Sequence, residues 1–577
     1  MLGVRCDHIE RPGSGSRRDV AARTWLVASL GFAVAALALR LWVEPLDHGY
    51  TRYATIAFEM VRSGDWIAPH LDGRLYVDKP PLAIWLIALS MALADTTASF
   101  TQHVPNVVAL LLSVLFLQRL GARLFGRADA GWLAAGLYVS TQLPSALLRD
   151  KRIDPLFSAF LLGAFDFFHA ALTAHAPSRA RLGNWLGAGV FLAAATLTKG
   201  PLALVFFVAV ALADAAWTGR LRALATRDVL AAAALWLALV ALWPLAMLHD
   251  VGWAAWGQRF SERDLVTRFA GPLHYIANLP LRLAPWSLVL PALALALRPL
   301  SRGASGAALR LPMSWFGIVF VLLHVTSAKH SRYLLPAFPA ASLLCLALWI
   351  EPPAGVAAVL APRVRKLRDA ALRFLLGLGV LAGVVAPFVP IWVSAARSVW
   401  SGLALGGALA AIGAIGALRR LRSDANAIAA LARAVVVILV VEAGFDLLRS
   451  GDFLANDDLA AANVALAGVA AGTPTLLLQL GGDEHNAMLL ATRRHFASGD
   501  SSEDARRFAS ASPGSLVVTR PETLAALRAE ADLSVGEPVS LRLAGTQLVL
   551  ASLRPNAIAP LPVAPSSAAP ERIAPPP

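Results

Sequence analysis

Apolar residues fall along this chain in blocks of about 20, separated by short polar turns. The blocks cover roughly 23–43, 104–119, 130–148, 155–173, 184–198, 201–217, 228–248, 283–298, 311–326, 334–350, 371–393, 400–418 and 427–447. An α-helix needs about 20 apolar residues to cross about 30 Å of hydrocarbon, so the pattern predicts a polytopic α-helical membrane protein with about thirteen transmembrane helices. The run PLAIWLIALSMALA, 81–94, is too short to cross and is predicted as an interfacial or partly buried helix. Ahead of it Tyr50, Tyr53, Ala54, Ala57, Met60 and Val61 recur at helical spacing, with Arg52, Glu59 and Arg62 elsewhere on the turn. That is the signature of a helix lying flat on the bilayer, so 44–103 reads as a structured first outer loop with interfacial helices.

The pattern changes after residue 447. TLLLQLGG at 475–482, SLVVTR at 515–520 and the pair VSLRLAG and QLVLASL within 539–553 read as strands, and 486–496 and 521–531 as helices. The expected organisation is a tail at 1–22, a membrane domain at 23–447 and a small α/β domain at 448–555. A Pro- and Ala-rich tail at 556–577 is expected to be disordered. No internal repeat is visible.

Charge adds topology. The chain carries 51 Lys and Arg against 37 Asp and Glu, a formal charge of +14. The bases sit in short loops: Arg119, Arg123 and Arg127, then Arg179 and Arg181, then Arg220, Arg222 and Arg227, with further groups at Arg298–Arg310, Arg363–Lys366 and Arg419–Arg422. With the N-terminus cytoplasmic, every one of these loops lands on the cytoplasmic side, which speaks against nucleic acid as a partner. The first apolar run, Trp25 to Val43, exceeds a signal-peptide core and is read as an uncleaved anchor. Two cysteines, Cys6 and Cys345, give neither a disulfide framework nor a cysteine metal site.

By this topology four polar clusters gather on the outer face: LDHGYTRYA at 46–54, LYVDKPPL at 75–82, LLRDKRIDPL at 147–156 and SAKHSRYLLP at 327–336. Ionisable groups at membrane level are costly and usually face a cavity or one another. Arg52, Lys79, Lys329 and Arg332 offer cationic donors suited to phosphate, while Asp47, Asp78, Asp150 and Asp154 offer a base or oxygen ligands for a divalent ion. Cations and carboxylates together fit a phosphorylated lipid. Plainer roles compete. Lys79 before two prolines can be a solvated turn residue, Asp150 and Asp154 can serve a helix dipole, and Arg149, Lys151, Arg152 and Arg332 can anchor at headgroups. His48 and His330 fit interfacial polar residues better than ligands, and TLTKGP at 196–201 reads as a turn between two spans.

The order RYA, then EMVRSGDWIAPHLDGRLYVDKPPLAIW, then an Asp opening the fourth span, then TKGP, then a lysine shortly before YLLPAFPA, resembles the bacterial aminoarabinose transferases of lipid A. These are C-type membrane glycosyltransferases, related to the protein O-mannosyltransferases. The resemblance covers about 20–450. It implies transfer of a sugar, aminoarabinose or another pentose or hexose, from undecaprenyl phosphate to lipid A or another envelope acceptor, with inversion, at the periplasmic side of the inner membrane. It also implies that Lys79 holds the carrier phosphate, that Asp78 stands where the family often has Glu, and that Asp154 is the acid of the second outer loop. Tyr333 would line the donor phosphate site, and Arg52 and Tyr53 match an Arg-Tyr pair opening the first interfacial helix.

One departure matters: Gly49 and Tyr50 occupy positions where the family carries an Asp-Glu pair. Asp47 is the nearest acid, with Glu44 a further candidate. Either Asp47 serves as base or the acceptor is a phosphate, already anionic, that needs none. The expected catalytic set is Asp47, Asp154 and Lys79, with Arg52, Tyr53, Lys329, Arg332 and Tyr333 around the donor phosphate. A divalent metal ion is left open, with Asp78 and Asp154 as candidate ligands. Three other readings stay open: a protein O-mannosyltransferase-like enzyme, a lipid-linked sugar transporter or flippase, and a transferase-derived scaffold without activity.

Overall fold

The computed structural model describes residues 31–32, 34–43, 51–174, 179–253, 271–302, 306–326, 329–350, 361–421, 427–454, 473–480, 486, 488–490, 496–530, 532–543 and 546–555. The chain divides into two units, Met1–Asn456 and Asp457–Pro577.

Over its described residues the first unit is helical apart from one short hairpin in the first outer loop. Among the described residues eight helices are long and apolar enough to cross a membrane, or up to nine if a bent pair forms one span. They include Val104–Phe125, Asp154–Thr173, Arg227–Val251, Gly306–Val325 and Ser331–Ile350, and the last three are Ala361–Trp392, Ala396–Arg420 and Ala427–Gly451. The bent pair, His274–Arg282 with Trp286–Ser301, turns through 106°. The protein is thus a multi-span membrane protein, and the shorter apolar helices Val34–Val43, Leu82–Ala94 and Leu202–Trp217 fall on other predicted segments.

Two predicted spans differ in shape from the reading above. The block 130–148 is not one helix but two, Ala128–Val139 and Gln142–Leu148. Ser140 Oγ donates to Gly136 O at 2.7 Å and Thr141 Oγ1 to Leu137 O at 2.6 Å, while the Gln142 amide leaves the helix to reach Ala284 O at 2.7 Å. Hydroxyls that compete for backbone carbonyls in this way bend or end helices. The block 283–298 starts instead as a 3-10 turn, Trp286–Val289, before continuing as Leu290–Arg302.

Helix contacts are close where residues are small. Helices Val104–Phe125 and Ala128–Val139 meet through Gly121 and Gly131: a Cβ on Gly131 would lie 2.0 Å from Gln118 O, and one on Gly121 2.9 Å from Gly131 Cα. Lipid tails give no hydrophobic drive to helix association, so such backbone approach supplies the packing. Gly131→Val is expected to separate this hairpin, costing about 1–3 kcal/mol as overpacking does. The check is a lowered melting temperature of the purified protein in detergent. At the same end of this pair, Arg119 and Arg123 reach the fully buried Asp166 at 3.2 and 2.7 Å. An intramembrane carboxylate is thereby neutralised.

The first outer loop is ordered over its described part. A helix, Arg52–Ser63, leads to a hairpin of β1, His70–Leu71, and β2, Arg74–Leu75, then to Leu82–Ala94 and the short Ser99–Gln102. The short run 81–94 is a helix of 13 residues.

The second unit is a mixed sheet with helices. Its strands are β3, Thr475–Leu478; β4, Ala497–Gly499; β5, Ser515–Thr519; β6, Leu533–Val535; β7, Val539–Leu543; and β8, Thr546–Pro555. The order is β4-β3-β5-β8-β6 with β7 also on β8, and β3 runs parallel to both β4 and β5. Three elements escaped the sequence pattern. The helix Ser502–Ala511 is opened by a capping box between Ser501 and Asp504, and β4 and β6 are only three residues each. Capping-box chemistry, S-x-x-D before a weakly apolar stretch, was the available signal for the helix.

Candidate active site

The sequence block from Glu59 to Lys79 folds because its polar residues close its turns. Helix Arg52–Ser63 ends at Gly64, which adopts φ 74°, a left-handed conformation that costs a residue with a Cβ. Asp65 Oδ1 then accepts from the amides of Ile67 and Ala68, both at 2.9 Å, which shapes the turn. The hairpin turn at Asp72 and Gly73 also runs at positive φ, and its two amides donate to the buried carboxylate of Glu59 at 2.8 and 3.3 Å. Trp85 Nε1 donates to Trp66 O at 2.7 Å, and Trp243 Nε1, from a spanning helix, donates to Ile67 O at 2.9 Å.

These ties fix the stretch that carries Asp78 and Lys79, both half-buried directly before Pro80 and Pro81. Glu59→Ala removes the acceptor for two amides. The expected result is about 1.5–3 kcal/mol of lost stability, the worth of hydrogen bonds to a charged group, and faster hydrogen exchange confined to 65–79.

The second part of the site is a cation–carboxylate cluster at the helix ends. Asp154 opens the helix Asp154–Thr173 and is 5% exposed. It lies in the first turn of that helix, where a carboxylate meets the helix dipole favourably, and its oxygens also face two cations. Oδ1 accepts from Lys199 Nζ at 2.5 Å, and Oδ2 lies 3.8 Å from Arg332 Nε. Lys199 ends the helix Arg179–Lys199, and its ammonium sits 4.6 Å from the Tyr333 ring centre and 5.1 Å from that of Phe157.

Arg332 and Tyr333 come from a 3-10 turn, Ser331–Ala337, that leads into the next helix. The Arg332 guanidinium lies 5.3 Å from the Tyr333 ring, on whose other contacts His330 packs edge-on at 5.3 Å. Cations over an aromatic face are stabilised by the ring quadrupole, and more so when desolvated. Two cations on one carboxylate leave a net positive charge, which favours an anionic ligand such as phosphate.

The structure brings together Asp154, Arg332 and Tyr333 from the predicted set and adds Lys199, which the sequence reading took for a turn residue. Its signal was present: the same topology that gathers the four polar clusters places TKGP on their face. Lys329 is buried but turns back, donating to Thr326 O at 2.5 Å. Asp150 pairs with Arg152 at 2.5 Å instead of joining Asp154.

Asn106 holds the intervening loop, with its amide donating to Leu147 O and Leu148 O at 3.3 Å each and to Asp150 O. Arg52 is exposed and Tyr53 buried on the interfacial helix. The helix Leu82–Ala94, which begins just after Lys79, packs against the helix that ends in Lys199. Asp47 and Glu44, with Gly49 and Tyr50, lie outside the described residues. Among the described residues no three His, Cys, Asp or Glu side chains group closely enough to hold a metal ion, and both Asp154 oxygens face cations. The donor set therefore does not fit a metal on Asp78 and Asp154.

Comparison with known proteins converges on the same elements. Residues 78–247 match the family profile described as dolichyl-phosphate-mannose-protein mannosyltransferase. The segment runs from Asp78 through Lys79, Asp154 and Lys199. An undecaprenyl phosphate-alpha-4-amino-4-deoxy-L-arabinose arabinosyl transferase of Pseudomonas paraeruginosa is 31% identical over 377 residues, 62% of this chain and 64% of that protein. One of Pseudomonas fluorescens is 28% identical over 58% of this chain and 60% of its own length. The chain thus aligns with less than two thirds of these relatives.

Crystal structures of ArnT from Cupriavidus metallidurans share the fold. The apo form has a TM-score of 0.69 at 18% identity, covering 92% of this chain and 98% of that one. The form bound to undecaprenyl phosphate has 0.67 at 18% identity, covering 91% and 97%. Residues 78–247 carry that family profile, and the fold is the one seen in these two crystal structures. The block 59–79 and the helix ends at Asp154, Lys199 and Arg332 supply an ordered cap and a cationic cluster, a chemistry suited to an anionic ligand such as phosphate.

Proposed function

We propose that the protein transfers a sugar from a polyprenyl phosphate carrier to an envelope lipid such as lipid A. The observation that carries this reading is the buried Asp154–Lys199–Arg332 cluster, cationic overall and set at the mouths of three spans. An acceptor oxygen attacks the anomeric carbon while the bond from that carbon to the carrier phosphate oxygen breaks. The electron pair leaves with the phosphate, and the sugar carbon inverts. Lys79, with Arg52, Tyr53, Arg332 and Tyr333 around the donor, would stabilise the charge that grows on the departing phosphate, the kind of preorganised stabilisation that contributes most to such reactions. Asp154 would hold Lys199 and Arg332 in place. The relatives' names support aminoarabinose as the sugar and undecaprenyl phosphate as the carrier.

We place the reaction at the periplasmic face of the bacterial inner membrane, with the N-terminus cytoplasmic and the C-terminal α/β unit periplasmic, because that orientation puts the basic loops inside. The test is an in vitro assay of the purified protein with a radiolabelled polyprenyl phosphate sugar and extracted envelope lipids. Labelled acceptor supports transfer; translocation of the donor without transfer, or neither, sinks it.

Asp47→Asn separates two routes within this reading. Lost turnover with retained donor binding assigns Asp47 as the base, whereas full activity assigns a phosphate acceptor that needs none.

A further inference from the structure

A second charged cluster forms around Arg149, in the segment that leads to Asp154. Arg149 donates through Nε to both oxygens of Asp446, at 2.8 and 3.0 Å, and through Nη2 to Glu442 at 3.4 Å. Arg40, from the first helix, donates to Asp446 Oδ1 at 2.8 Å, and Ser145 Oγ to Glu442 Oε2 at 2.7 Å. These four ionisable groups close one end of a cavity of about 970 Å³. That is at the top of the range of about 300–1,000 Å³ for ligand pockets.

The rest of its wall is apolar, from Leu375, Leu378 and Ala382 on the helix Ala361–Val385 and Val437, Val441 and Phe445 on the helix Ala427–Leu454. The trough continues. A smaller cavity of about 210 Å³ shares Ala382, Val385, Val441 and Phe445 with it and reaches Gly406 and Gly407 on the third helix, Trp400–Arg420. A long apolar trough with a polar end at helix termini has the shape of a lipid chain and its headgroup.

The charges select the headgroup. Two guanidiniums and two carboxylates sum to zero, so the site has no net attraction for a purely anionic lipid, whose charge would also meet Glu442 and Asp446. The capacity that remains is divided. Arg40 spends one Nη on Asp446, and its Nε is buried without an acceptor among the described residues. Glu442 is about one-fifth exposed and so can accept a further donor. We propose that this trough is a binding site for one phospholipid with a zwitterionic aminoalkyl phosphate headgroup, its phosphate on Arg40, its ammonium on Glu442 and an acyl chain along Ala382 and Val441. The site is independent of the sugar-transfer reading, and its test reads binding, not turnover.

Full-length protein is purified in detergent, delipidated, and offered phosphatidylethanolamine or phosphatidylglycerol of the same chains, with bound lipid counted by native mass spectrometry. One phosphatidylethanolamine retained per chain, with phosphatidylglycerol retained about tenfold less, is expected from the loss of one charge-assisted hydrogen bond. Arg40→Ala and Ala382→Phe should each reduce that retention about tenfold, the first by removing a donor to the phosphate and the second by filling the trough. Should Arg40→Ala fail to fold, Ala382→Phe decides alone, since it touches no ion pair. Equal retention of the two lipids, or retention unchanged by Ala382→Phe, overturns the proposal.

Discussion

Lys79→Ala is expected to abolish sugar transfer while the protein still inserts in the membrane and melts as the wild type does. The side chain is half-buried at the end of a block whose turns are closed by Glu59, Asp65 and Trp85, so those ties do not depend on it. Its proposed partner is the carrier phosphate. Loss of one preorganised donor to a developing anion costs about 10²–10³ in turnover, and loss of a full charge costs more. Lys79→Arg restores charge without the compact ammonium geometry and should recover only part of the rate. The check is the radiolabel assay on equal amounts of folded protein. Near-normal transfer by Lys79→Ala would remove the cationic site from the reaction.

Lys199→Met should have the second largest effect, and on two quantities at once. Asp154 is buried, and Lys199 is its nearest cation, at 2.5 Å against 3.8 Å for Arg332. Taking one partner from a buried ion pair leaves an uncompensated charge and costs about 3–5 kcal/mol, whereas removing both costs far less. The double change Asp154→Asn with Lys199→Met should therefore melt close to wild type and yet remain inactive. Activity regained along with stability in the double variant would make the pair a structural clasp with no part in transfer.

How much of this was legible in the sequence depends on the physics behind each feature. The spans were readable because hydrocarbon thickness imposes a length on every one, while the turns at Gly64, Asp65, Asp72 and Gly73 went unread although their residue types carry the signal. The break at Ser140 and Thr141 was not readable, since apolar content is unchanged across it and the cause is two hydroxyls and an amide drawn to Ala284, 142 positions further on. Lys199 shows the opposite failure. Its position was known and its face was inferred, but a lysine before Gly-Pro looks like any turn until the third dimension brings Asp154 to its ammonium. Asp154 lies in the first turn of its helix as the sequence suggests, and the structure adds the two cations that its oxygens face. Lys329 was chosen for its charge and turned out to donate to its own loop.

The glycine contact between the second and third segments bears on how the chain is made. The helix Ala128–Val139 has 12 residues, which at 1.5 Å per residue is about 18 Å of rise, well short of about 30 Å of hydrocarbon. Such a segment is poorly held by lipid alone. It follows Val104–Phe125 after a turn at Gly126 and Arg127, and it lies against that helix at backbone distance through Gly121 and Gly131. During synthesis the two therefore favour entry into the bilayer as a single helical hairpin, with the longer helix acting as the scaffold on which the shorter one is retained.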